Sequence, residues 1–74
     1  MDRKAAEDII TESLNRYRGL KVNAFTIFYD IKDRYEGDFA LDDVFEGVMA
    51  LDGKLTVYDT DVRGRPLVFS MNSR

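Results

Sequence analysis

The chain contains neither cysteine nor histidine nor tryptophan, and its 74 residues include a single proline, Pro66. Without cysteine there is no disulfide to staple a small domain and no thiolate for catalysis or zinc. Without histidine, every triad or dyad that needs imidazole is excluded as well. No apolar run approaches the roughly 20 residues that a bilayer-spanning helix needs, and residues 1–18 hold no hydrophobic segment of signal-peptide type. These absences lead us to expect a cytoplasmic protein with no membrane partner. Nor is there an excess of positive charge: 14 acidic residues against 11 basic ones leave a formal net charge of −3. That balance argues against a whole-surface polyanion binder, because non-specific nucleic-acid affinity comes from Lys and Arg neutralising phosphates.

What the sequence does have is apolar residues, 45% of the chain, with nine aromatics among them (five Phe, four Tyr). A chain this short buries only about 60% of the surface that its unfolded form exposes. One domain over residues 1–74 follows, held by its core alone. No repeat, linker or low-complexity stretch divides it.

The clearest periodic segment is DFALDDVFEGVMALDG, residues 38–53. Leu41, Val44, Phe45, Val48 and Leu51 keep the spacing of a buried helical stripe. Asp42, Asp43, Glu46, Gly47 and Ala50 are left for the outer face, and no Lys or Arg occurs in the segment. This predicts a helix over 39–52, with Asp38 as its cap.

Before it, residues 3–18 carry Ala6, Ile9, Ile10, Leu14 and Tyr17 at helical spacing, with Asp2 as a candidate cap and Gly19 as a stop. Arg16 and Arg18 suit the negative end of that helix. Residues 20–22 read as a brief strand. Asn23 then suits the cap of a second helix over 24–36, whose apolar band joins Ala24, Phe28, Ile31 and Tyr35, with Ile27 beside it. Phe25 and Tyr29, one turn apart, are surplus to that band. After Gly53 the period changes to two: Leu55 and Val57 alternate within residues 54–59, and residues 66–70 follow a polar turn. This predicts a hairpin, with Gly64 easing the turn and Pro66 at the start of its second strand. Residues 71–74 read as a loose tail.

The order helix, short strand, helix, tight turn, helix, hairpin makes an α+β chain that resembles the winged helix-turn-helix superfamily. ALDDVFEGVMALDGKLTVYD is similar to the third helix and first wing strand of such domains, and the likeness of pattern extends over residues 5–69. The resemblance implies a third helix placed where DNA is usually read and a hairpin wing beside it. The residues depart from that implication. Groove readout and phosphate contact call for Arg, Lys, Asn, Gln, Ser or Thr on the exposed face, and here stand three carboxylates. The wing agrees better, with Arg63 and Arg65 on either side of Gly64.

Two functional classes follow. The first is a non-enzymatic protein-interaction or regulatory subunit. In it the acidic face (Asp42, Asp43, Glu46, with the low spot at Gly47 and Ala50) meets a basic surface of another protein or a second copy in a homodimer, and Phe25 and Tyr29 add apolar contact. The alternative is a DNA-binding transcriptional regulator that uses Lys21, Lys32, Arg34, Arg63 and Arg65. Asp59, Asp61 and Gly64 echo the opening of an EF-hand loop, but Arg63 and Ser70 stand where ligands should, so calcium is excluded. Adjacent carboxylates at Asp38, Asp42 and Asp43 suit a helix start. No residues are assigned to catalysis, a cofactor, a metal or a small-molecule substrate.

Overall fold

A computed structural model describes residues 3–35, 37–51 and 53–72. Among them the chain forms helices α1 (Arg3–Arg16), α2 (Ala24–Arg34) and α3 (Leu41–Ala50) and strands β1 (Val22–Asn23), β2 (Leu55–Thr60) and β3 (Pro66–Met71). The sheet is antiparallel, in the order β1-β3-β2. This α+β arrangement is compatible with a winged-helix layout.

Each helix is shorter than its periodicity predicts, and each end has an identifiable cause. The first helix stops at Arg16, not 18, because the next amides turn back three residues: Tyr17 N–H donates to Leu14 O at 3.0 Å and Leu20 N–H to Tyr17 O at 3.0 Å, with Gly19 at φ +85°. The second is capped by Asn23, whose side chain accepts from Thr26 N–H at 2.8 Å. It ends at Arg34 because Tyr35 turns extended and its hydroxyl donates to Glu12 Oε1 at 2.7 Å. The third begins at Leu41, with Ala40 and not Asp38 in the cap position. Phe39 is drawn into the core, and Asp43 reaches back to accept the Ala40 amide at 2.8 Å. The expected cap at Asp2 lies outside the described residues.

β1 starts two residues later than expected and ends one later, at Val22–Asn23, where Val22 pairs with Phe69. The expected tail at residues 71–74 is corrected at its start. Met71 belongs to β3, opposite Leu55, and is buried; the Asn72 amide donates to Lys54 O at 3.0 Å and its side chain accepts from Thr56 Oγ1 at 2.7 Å. Arg18, free of the helix, donates to the Asn72 carbonyl at 2.9 Å. Residues 73 and 74 lie outside the described residues.

The core joins Ile10 and Leu14 of α1, Ala24, Ile27 and Ile31 of α2, Val44, Phe45 and Val48 of α3, and Phe69 and Met71 of β3. The predicted stripe of α3 is therefore internal, with Leu41 and Leu51 half-buried at its ends. One polar cluster ties α1 to α2. Asp30 accepts from Ser13 Oγ at 2.7 Å, from the Arg16 guanidinium and from Arg34 Nε at 3.2 Å. Burial pushes its carboxyl up, yet the bonds from Arg16, Ser13 and Arg34 outweigh that and hold it below the usual carboxylate range.

At Gly47 the side chain of Ile10 on α1 packs directly against the backbone of α3. A Cβ built there would stand 2.2 Å from Ile10 Cδ1, and both residues are buried. The reading of Gly47 as part of an outer low spot is thus corrected: the space above it is filled by the chain's own first helix. Ile10 is fully buried, so Gly47→Ala gains helix propensity but must displace the Ile10 Cδ1 methyl within the core. We expect a net loss of about 1 kcal/mol in urea unfolding. Ile10→Val removes the obstructing methyl, so the double variant should lose less than the sum of the two single changes.

Candidate surface between the third helix and the hairpin

The burial of Gly47 narrows the exposed side of α3. Asp42, Glu46, Met49 and Ala50 face solvent, while Asp43 is half-buried and occupied by the Ala40 amide. At about 100° per residue, Asp42, Glu46 and Met49 fall within one narrow strip along the helix. Met49 is 48% exposed and Val57, across from it on β2, 47%. Together with Val48, Leu55 and Pro66 they line an apolar groove between α3 and the hairpin, to which Thr60 and Gly64 also contribute. Met49 is not among the residues expected at the site, although helical spacing sets it beside Glu46; the groove as a whole needs the hairpin's position, which spacing does not contain.

The hairpin tip is built around one carboxylate. Asp61 Oδ1 accepts the amides of Arg63 and Arg65, both at 2.9 Å, and Oδ2 accepts Arg65 Nε at 2.8 Å. The Gly64 amide donates back to Asp61 O at 2.9 Å, with Gly64 at φ +81°, a conformation open to glycine at no steric cost. Burial raises the Asp61 carboxyl, but the backbone and side-chain bonds from Arg65 and the Arg63 amide prevail and hold it below the ordinary value.

Arg65 also reaches α3. Its Nη1 lies 3.1 Å from Asp42 Oδ1, and its guanidinium carbon sits 4.3 Å from the centre of the Phe45 ring. The acidic face of α3 therefore does have a compensating cation, supplied by the hairpin. The hairpin in turn has given up one of the two arginines that the DNA alternative needs. Arg34 is likewise occupied by Asp30 at 3.2 Å. Lys21 Nζ stands 4.3 Å over the Tyr58 ring, on the sheet, and Lys32 borders a shallow depression with Phe39 and Asp43. Arg63, at the tip, is exposed, and among the described residues none of Lys21, Lys32 and Arg63 has an ion pair. The five candidate cations are thus spread over the sheet, the end of α2 and the hairpin tip, and two are neutralised.

Phe25 and Tyr29 are exposed, at 46% and 62%. Tyr29 packs edge-on against Phe28, with ring centres 5.3 Å apart, and Phe28 stacks on Phe39 at 6.4 Å. Among the described residues no three acidic side chains converge as a metal site, and no helix is long and apolar enough to cross a membrane.

The depressed Asp61 carboxyl has a measurable consequence. A group whose folded value lies below its unfolded one, about 3.9 for Asp, stabilises the fold above that unfolded value and loses the contribution as pH falls through the folded one. In an NMR pH titration Asp61 should have its midpoint below about 3.9, and Arg65→Ala should move it upward. Asp61→Asn should speed hydrogen exchange at the Arg63 and Arg65 amides at neutral pH. No family model matches the chain, and neither does any curated protein or solved structure compared with it.

Proposed function

We propose that the chain is a non-enzymatic winged-helix module for protein interaction, and that the face formed by α3 and the hairpin receives a basic, amphipathic segment of another protein. The observation that carries this reading is the adjacency of an apolar groove (Val48, Met49, Leu55, Val57, Pro66) to a strip of carboxylates led by Asp42 and Glu46. Apolar anchors buried in a groove supply most of the affinity of such contacts, and complementary charge at the rim supplies orientation and encounter rate. The exposed rings of Phe25 and Tyr29 offer further apolar contact on α2. A phosphate backbone laid along α3 would meet Asp42 and Glu46, and the cation beside Asp42, Arg65, already bonds to Asp42 and Asp61.

The DNA-binding reading rests on Arg63, which projects from the tip without an ion pair among the described residues. Fluorescence titration against random duplex at about 50 mM salt separates the two readings. The protein-interaction reading predicts affinity no tighter than about 10⁻⁴ M. Binding that is tighter, falls steeply with salt and drops in the Arg63→Ala, Arg65→Ala double variant would overturn it. As the positive arm, a synthetic Lys/Leu amphipathic helix should shift NMR signals of Asp42, Glu46, Met49 and Val57. Met49→Lys should weaken that binding by roughly tenfold, since it replaces an apolar anchor with a like charge.

A further inference from the structure

β2 lies at the edge of the sheet, with β3 as its one neighbour among the described strands. The Asn72 amide bonds to the Lys54 carbonyl at 3.0 Å, in register with Leu55 opposite Met71 and Thr56 opposite Ser70. In an antiparallel ladder the bonded positions alternate. Lys54 and Thr56 therefore turn their backbone groups toward β3, and Leu55 and Val57 turn theirs to the open edge. Natural edges are blunted by proline, by lysine within the strand or by a bulge. Leu55–Val57 contains none of these; the bulge comes afterwards, at Tyr58, where the pairing shifts between Val57 opposite Phe69 and Asp59 opposite Val68.

We propose that this edge pairs with the same edge of a second copy of the chain, antiparallel about a two-fold axis at Thr56. In that register Leu55 of each copy exchanges backbone hydrogen bonds with Val57 of the other. Their side chains meet on the face that carries the groove, where both residues already line it. Thr56 stands opposite its own counterpart on the other face. Lys54 comes opposite the other copy's Tyr58, with Asp59 next to it, so that the cationic start of each strand faces the acidic end of its mate. A segment that is positive at one end and negative at the other is self-complementary only when antiparallel, and a two-fold axis supplies that orientation. The irregularity at Tyr58 interrupts the regular ladder beyond this segment and limits the pairing to one short dimer contact. The inference is independent of the partner proposed above, because it uses the backbone of β2 and not the carboxylates of α3.

Sedimentation equilibrium of the full chain tests it. A monomer–dimer equilibrium is expected, weakening as salt rises. Thr56→Lys and Thr56→Glu each place like charges across the axis at an exposed position, and each should raise the dimer Kd on the order of tenfold or more while circular dichroism reports an unchanged fold. Mixed in equal amounts, the two variants should regain dimer as a heterodimer, an outcome that a merely destabilised fold would not give. A wild-type chain that stays monomeric up to about 1 mM overturns the proposal, as does a dimer that both substitutions leave intact. Monomers that do not recombine on mixing overturn it too.

Discussion

The contact between Ile10 and Gly47 decides how the rest of this molecule can present itself. Because Gly47 has no Cβ, Ile10 Cδ1 occupies the space that a side chain at that position would take. The glycine brings a conformational cost to a ten-residue helix, on the order of 1 kcal/mol relative to alanine, which the packing of Ile10 offsets. Its larger effect is geometric. By covering Gly47, α1 leaves α3 one narrow exposed strip and sets that strip beside the hairpin. The acidic and apolar groups that helical periodicity sets on that strip are thereby kept next to the apolar residues of the hairpin.

Charge on that side is then adjusted from within the chain. Asp61 organises the turn by accepting the amides of Arg63 and Arg65, and the turn so formed aims Arg65 at both Asp61 and Asp42, over the ring of Phe45. A guanidinium suits this position because its planar fork reaches two carboxylates while its face stays on an aromatic ring. Asp42 is largely exposed, so the Asp42 link adds little stability by itself. Its consequence is positional, since it couples the orientation of the hairpin to α3 and leaves Val62 and Arg63 as the groups that protrude.

The elements were legible in the sequence because their signals are local. The stripe Val44, Phe45 and Val48, the cap at Asn23, the glycine in the hairpin turn and Pro66 at the start of β3 each follow from spacing or backbone preference. Helix ends were read too far out because tertiary contacts decide them: Tyr35 leaves its helix to reach Glu12, and Phe39 enters the core where a helical turn was expected. For the site, the exposure of Asp42, Glu46, Phe25 and Tyr29 agrees with the pattern. Gly47 does not, because a glycine has no hydropathy with which to declare a face. The partner of Asp42, 23 residues away, and the place of Asn72 in the hairpin could not be read from any periodicity.

The groove and the free edge share Leu55 and Val57 without competing for the same atoms. In a strand the side chains stand perpendicular to the sheet while the backbone groups lie in its plane, so one residue serves two surfaces at right angles. The side chains of Leu55 and Val57 turn toward Val48 and Met49, and their amides and carbonyls toward the edge. A two-fold axis at Thr56 runs perpendicular to the sheet and would therefore bring the two grooves onto the same face, abutting at Leu55 and Val57. Dimerisation would then lengthen the apolar floor available to a partner instead of covering it, with an acidic strip from α3 along each half. A long basic amphipathic segment would favour the dimer for that reason, because a ligand that binds one state better shifts the population toward it.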